Sequence, residues 1–192
     1  MRILGIHDSH DAGAAIIEDG RIIAAVNEER LNRMKLCWGF PRDSIQKVLE
    51  LAELTVADID HIAIATQHAP FHDHAYAYEE TTALIDQERQ IISQLSPYLG
   101  PFFRTTLWTN IQRKILASRG KERQEKIQQL LREFYGFTCG ISFVEHHLAH
   151  AASAYYTSGR DDVLIVTADA AGGLSQQAYS TLAGGSWTIR IG

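Results

Sequence analysis

The chain has 192 residues, 45% of them hydrophobic and 21% charged, with 23 acidic against 18 basic side chains and a formal net charge of -5. That balance fits one ordinary globular core, offers no basic field to draw in a polyanion, and so disfavours nucleic acid as a partner. Two cysteines with no Cys-x-x-Cys spacing argue against a disulfide framework or a thiolate zinc site and point to a reducing compartment.

The opening run Ile3 to Ile6 turns polar at His7, too early for a signal sequence, and no long apolar stretch follows. A soluble, cytoplasmic protein with no membrane partner is expected. Ile3 to Ile6 reads as a strand, His7 to Gly13 as a polar loop, Ala14 to Ile17 as a second strand and Arg21 to Val26 as its partner, with Asp19-Gly20 as the tight turn between them. Past Pro41, the spacing of Ile45, Val48, Leu49 and Ala52 predicts a helix over Ser44 to Leu54. A turn at Thr55 to Asp58 and a buried strand from His61 to Ala65 follow.

From residue 66 to about 138 the composition shifts to Gln, Glu, Arg and Tyr, which reads as an inserted helical region broken at Pro97, Gly100 and Pro101. Its strongest helix is expected over Ile111 to Phe134, interrupted near Ser118-Arg119-Gly120, with Ile115, Ile127, Leu130, Leu131 and Phe134 buried. Ile141 to Val144 then predicts a strand, Glu145 to Tyr156 a helix, Val163 to Ala168 a strand, and Gln177 to Leu182 with Ser186 to Ile191 a closing hairpin. Strands that begin as a hairpin series and later alternate with helices imply an α/β fold with a mixed sheet, a pattern that suits half of a two-lobed ATPase.

Chemistry concentrates in four segments. His146 and His150 are four apart in the run Glu145 to His150 and stack one above the other on a helix, so that both imidazoles can bind one metal. Surface or core histidines are the competing reading of such a pair, and His147 points away from it. Asp169 ends an apolar strand and precedes Gly172-Gly173, where a carboxylate can hold a cation and glycine lets backbone N–H groups approach phosphate. A strand-end Asp more often caps a turn. The loop His7 to Gly13 carries His10 and Asp11 among two His and two Asp, more polar groups than a turn needs. After the third strand, Arg30, Arg33 and Lys35 form either a solvated face or a cationic patch for a phosphate-bearing ligand. His68, His72 and His74 lie in the insertion and read as exposed.

Taken in order, Leu4-Gly5-Ile6 with His10-Asp11-Ala12-Gly13-Ala14-Ala15, Glu28-Glu29-Arg30 with Arg33, Lys35 and Phe40-Pro41, and His146-His147-Leu148-Ala149-His150-Ala151-Ala152-Ser153-Ala154 resemble the NodU/CmcH family of O-carbamoyltransferases. These are enzymes of nodulation-factor and antibiotic biosynthesis. The resemblance covers residues 1 to 65 and 140 to 185 and implies a lobe of the actin, sugar-kinase and heat-shock-ATPase class, ribonuclease H-like, with a mixed sheet and the inserted helical region. It further implies that carbamoyl phosphate and ATP form carbamoyl-adenylate in a separate domain. The carbamoyl group then passes to the hydroxyl of a small-molecule acceptor.

By the same resemblance His146, His150 and Asp169 would ligate a divalent metal, iron first and zinc or manganese as alternatives. His10 and Asp11 would face the adenylate or acceptor, with His10 as proton acceptor. Arg30, Arg33, Lys35, Gly172 and Gly173 would hold the ATP-derived phosphates. The family usually carries Asp-Gly-x-Gly-Glu where this chain has Asp169-Ala170-Ala171-Gly172-Gly173, which weakens phosphate approach near Ala170. A second lobe and an adenylate-forming domain, in cis or in trans, would be needed for turnover, so this chain by itself is expected to be inactive. The competing readings are a non-catalytic metal- or nucleotide-binding partner module, a tRNA threonylcarbamoyl-type transferase and, less consistent with the paired histidines, a sugar kinase.

Overall fold

The computed structural model of the chain describes residues 1–65, 75, 106–161, 163–167 and 187–191, with backbone alone for 106–119, 147, 163–164, 166–167 and 187–191. It divides into two units, Met1–Phe143 and Val144–Gly192. In the first, strands β1 (Arg2–His7), β2 (Gly13–Glu18) and β3 (Arg21–Asn27) form an antiparallel meander, and β4 (His61–Ile64) and β5 (Gly140–Phe143) continue it in parallel, in the order β3-β2-β1-β4-β5. The expected mixed sheet is therefore present. Asp19 (φ 48) and Gly20 (φ 82) are both left-handed, the conformation that lets a two-residue turn match the twist of its strands. A bulge between Ile16 and Ile17 sets Ile17 against Ile22 and Ile16 against Ala24, which leaves Ile23 as the extra residue of β3.

The pleat dictates the core. Leu4 and Ile6 of β1 stand opposite Ile16 and Ala14 of β2 and beside Ile62 and Ile64 of β4, so alternate residues fill one face. Against that set pack Ile45 and Val48 of α2 (Arg42–Leu51), Ile127 and Leu131 of α3 (Thr106–Glu133), and Phe40 and Phe137, all in one buried cluster. Helix α2 follows the one-turn helix α1 (Glu29–Asn32), and it starts and stops earlier than the Ser44 to Leu54 spacing predicts. Pro41 serves as its N-cap residue, and Glu53 (φ 56) turns the chain so that the Leu54 N–H returns to the Leu49 carbonyl at 2.9 Å. The expected turn at Thr55 is a short 3-10 helix, Val56–Asp58, closed by a capping box between Thr55 and Asp58.

Two expectations for the insertion are corrected. Helix α3 runs unbroken through Ser118-Arg119-Gly120. Gly120 is buried, and its propensity cost of about 1 kcal/mol is small beside the packing of the face it shares. Phe134 is 63% exposed rather than buried. The helix ends at Glu133, Gly136 adopts φ 77, and the N–H groups of Gly136 and Phe137 close on the carbonyls of Arg132 and Leu131, both at 3.1 Å. That reversal sends Phe137 into the core and leaves Phe134 edge-on to Tyr135, with the Arg42 guanidinium over its ring. Ile115, the breaks at Pro97 to Pro101 and most of the insertion lie outside the described side chains.

The second unit contains α4 (His146–Ser158), β6 (Val163–Thr167) and β7 (Trp187–Ile191). β7 pairs antiparallel with β6; Gln177 to Leu182, the expected partner of its hairpin, lies outside the described residues. Among the described residues no helix is long and apolar enough to cross a membrane.

Candidate functional site

Among the described residues two constellations have side chains capable of chemistry, one in each unit. In the first, β1 delivers His7 to its carboxyl end and the chain loops back through Asp8, Ser9, His10 and Asp11 before β2. The loop is held on one side by the Trp38 segment: His10 forms a lone β-bridge with Trp38, Gly39 N–H reaches the Ser9 carbonyl at 3.4 Å and Ala12 N–H the Cys37 carbonyl at 3.4 Å. The imidazole of His10 stands edge-on to both His7 and Trp38, with ring centroids 5.8 Å apart in each case. The Trp38 Nε1–H is enclosed with no acceptor among the described residues, an orphaned donor of the kind that native folds tolerate at few places.

Hydrogen bonding sets the tautomers here. A carboxylate only accepts, so the His10 Nδ1 that lies 3.2 Å from Asp11 Oδ2 carries the hydrogen, and Nε2 becomes the basic nitrogen of the neutral ring. By the same reasoning His7 donates from Nε2 to the His10 carbonyl at 3.0 Å. Asp11 reaches this position in a left-handed conformation, φ 55, which Asp tolerates better than most side chains.

Beneath the loop lies a pair that the sequence reading missed. Asp8 and Arg123 are 1% and 3% exposed, and Nη2 of Arg123 donates to both carboxylate oxygens at 2.5 Å. Arg123 precedes Ile127 and Leu131 by one and two helical turns, so the stripe of α3 that enters the core also carries this cation. Its Cζ lies 5.9 Å from the centre of the Phe143 ring. Burial lowers the guanidinium's pKa, and the charge and hydrogen bonds of Asp8 act in the opposite direction.

Glu28 was also missed as an individual. It is 3% exposed, and its carboxylate accepts the N–H groups of Asp43 at 3.1 Å and Ser44 at 2.7 Å, the first turn of α2, while its own N–H donates to the Ala12 carbonyl at 2.8 Å. Arg30, Arg33 and Lys35, just beyond it, are all exposed. Arg30 lies 3.5 Å from Glu29, and Arg33 (φ 64) and Leu36 (φ 52) bend the segment sharply. The structure brings His10 together with Asp11 and sets the three cations on one exposed stretch.

In the second unit, Glu145 caps α4 by accepting the Leu148 N–H at 2.9 Å, and Gly159 (φ 66) ends the helix. Ala151 is fully buried among its small residues. On this helix His146 and His150 stand as the four-residue spacing requires, ring centroids 4.5 Å apart and Nε2 to Nε2 3.1 Å. Two nitrogens bound to one metal at about 2.0–2.1 Å would stand roughly 2.9 Å apart at a right angle and roughly 3.4 Å apart at the tetrahedral angle. The observed separation falls between, so the pair fits two adjacent ligands of one ion. No group of three or more His, Cys, Asp or Glu converges among the described residues. Asp169, Gly172, Gly173, His68, His72, His74 and the side chain of His147 lie outside them.

Comparison with known proteins gives these constellations a family. The chain is 35% identical over 184 residues to nodulation protein NolNO of Sinorhizobium fredii, 93% of this chain and 22% of that protein. It is 31% identical over 174 residues to an uncharacterized protein of Synechocystis, 88% of this chain and 25% of that one. An uncharacterized protein of Rhizobium etli is 48% identical over 54 residues, 28% of this chain and 32% of the relative. The chain thus spans about a quarter of the length of the first two relatives. A family model described as carbamoyltransferase N-terminus matches residues 2–191, nearly the whole sequence, and the chain therefore belongs to the carbamoyltransferase N-terminus family.

Proposed function

We propose that this chain is the part of an O-carbamoyltransferase that receives carbamoyl-adenylate, made elsewhere from ATP and carbamoyl phosphate, and passes its carbamoyl group to the hydroxyl of a small-molecule acceptor. The observation that carries the reading is the His146–His150 pair, whose nitrogens converge to 3.1 Å within the family-matched segment. The antiparallel meander followed by parallel β4 and β5 supports an actin-like, ribonuclease H-like lobe, a fold that works as one wall of a nucleotide cleft. The small share of NolNO that the chain spans supports a second lobe and an adenylate-forming domain as its partners in cis or in trans. The expected compartment is the cytoplasm.

On this reading His146, His150 and Asp169 hold a divalent metal, which supplies Lewis-acid polarisation of the reacting oxygens when bound. Iron, zinc and manganese all suit that donor set. Arg30, Arg33, Lys35, Gly172 and Gly173 take the phosphate of the nucleotide. His10, with Nδ1–H given to Asp11, is the base. The acceptor oxygen bonds the carbamoyl carbon, the bond from that carbon to the adenylate oxygen breaks, AMP leaves, and the hydroxyl proton passes to His10 Nε2.

Elemental analysis joined to a turnover assay tests this. The purified chain should carry near-stoichiometric metal that His146→Ala and His150→Ala each remove. Carbamoylated acceptor should form from ATP and carbamoyl phosphate only when the remaining domains are supplied, and His10→Ala should slow it by roughly 10²–10⁴-fold. Metal that survives both histidine substitutions, with turnover unaffected by them, would overturn the reading.

A further inference from the structure

We infer that the buried Asp8–Arg123 pair is a positioning device, through which helix α3 fixes the loop that orients His10. This rests on the reading of His10 as the base. The pair is a poor way to gain stability. Burying two charges costs several kcal/mol before any attraction is counted, and apolar residues of similar volume in such places are often as stable or more so. Arg123 sits on the stripe of Ile127 and Leu131, and its guanidinium lies over the Phe143 ring.

What the pair adds is a fixed point. Asp8 immediately follows His7, whose Nε2–H holds the His10 carbonyl, and stands two residues before His10 itself. Across the loop, the Trp38 bridge fixes the opposite side. Four residues from Asp8 to Asp11 are thereby clamped between a strand end, the Trp38 segment and a side chain 115 residues away. A guanidinium nitrogen that donates to both carboxylate oxygens restricts the angle as well as the position of Asp8. Apolar contacts, being non-directional, would leave the loop free to rotate. The left-handed turn at Asp11 and the Nδ1–H contact it makes with His10 both depend on where the loop enters, and Asp8 is that entry. On this inference Asp8 and Arg123 act through His10.

The test reads His10 directly. In the full chain without substrate, two-bond 1H–15N spectra of the imidazoles report the tautomer of His10, alongside thermal melting. The double variant Asp8→Leu with Arg123→Met should melt at or above the wild-type temperature, yet His10 should lose its single Nδ1–H tautomer and show averaged nitrogen shifts. A folded double variant with an unchanged His10 spectrum would overturn the inference and leave the pair as packing alone. Should the double variant not fold, Asp8→Glu decides: it keeps both charges but lengthens the arm, and an unchanged His10 spectrum in the folded Asp8→Glu chain likewise overturns the inference. Loss or retention of turnover in His10→Ala bears on the catalytic reading alone, since the tautomer is read with no reaction under way.

Discussion

At Tyr135, burial pushes the phenol up to about 12 from an ordinary value of 10.0, since a phenolate between Phe40 and Phe137 would lose its hydration. The folded state thus holds its proton where the unfolded chain gives it up, and stability that is complete below pH 10 falls as the pH rises toward 12. Tyr135→Phe should flatten this alkaline fall in urea midpoints taken from pH 9 to pH 12, and parallel curves for the two proteins would refute the assignment. His146, His150, His10 and Asp11 were legible in the sequence because their relations are local: a helix repeats near every fourth residue, and adjacent side chains on a loop meet without help from the fold. Asp8 and Arg123 were not legible, since 115 residues separate them and each reads alone as an ordinary surface charge. Phe134 was misread because periodicity continues on paper past Glu133, whereas the reversal at Gly136 transfers the core position to Phe137.

Helix α2 is held at its start by a side chain from outside it. Glu28 gives both carboxylate oxygens to the N–H groups of Asp43 and Ser44, at the end of the helix where its dipole favours negative charge. Glu28→Ala leaves the buried Ser44 N–H and the part-buried Asp43 N–H without their acceptor and should cost about 2–3 kcal/mol in chemical denaturation. Glu28→Gln, which still offers one oxygen, should lose roughly half of that; a Glu28→Ala midpoint equal to wild type would show that water replaces the carboxylate. The reading of Asn27 to Lys35 as a charge run hid this element-scale role. A string of like-looking residues gives no sign of which one turns inward, and here only Glu28 is buried while Arg30, Arg33 and Lys35 stay in solvent. The first strands were legible as elements because Asp19-Gly20 marks the turn between them, whereas α4 runs past the expected end at Tyr156 to Ser158, where Gly159 stops it.

For the molecule as a whole, the main buried cluster runs from Leu4 to Phe137, inside the first unit. Residues 1–143 produced alone should therefore melt in one cooperative transition with native-like near-ultraviolet dichroism; a broad, non-cooperative melt would show that later residues complete this core. The alternation of strands and helices was enough to foresee a mixed α/β sheet. The burial of Ile127 and Leu131 was legible in the helical spacing of α3 and both are fully buried, whereas the sheet strands they pack against could not be read from a helix whose composition is mostly polar. One feature of the sheet bears on how such a protein behaves in concentrated solution. Among the described residues β3 is an outermost strand, with Ile22 59% and Ile23 41% exposed, a composition that invites a strand from another molecule to add on. The extra residue at Ile23 breaks the even spacing of donors and acceptors such an addition needs, so the irregularity that looks like a flaw in the ladder is of the kind by which sheet edges avoid serving as templates for aggregation.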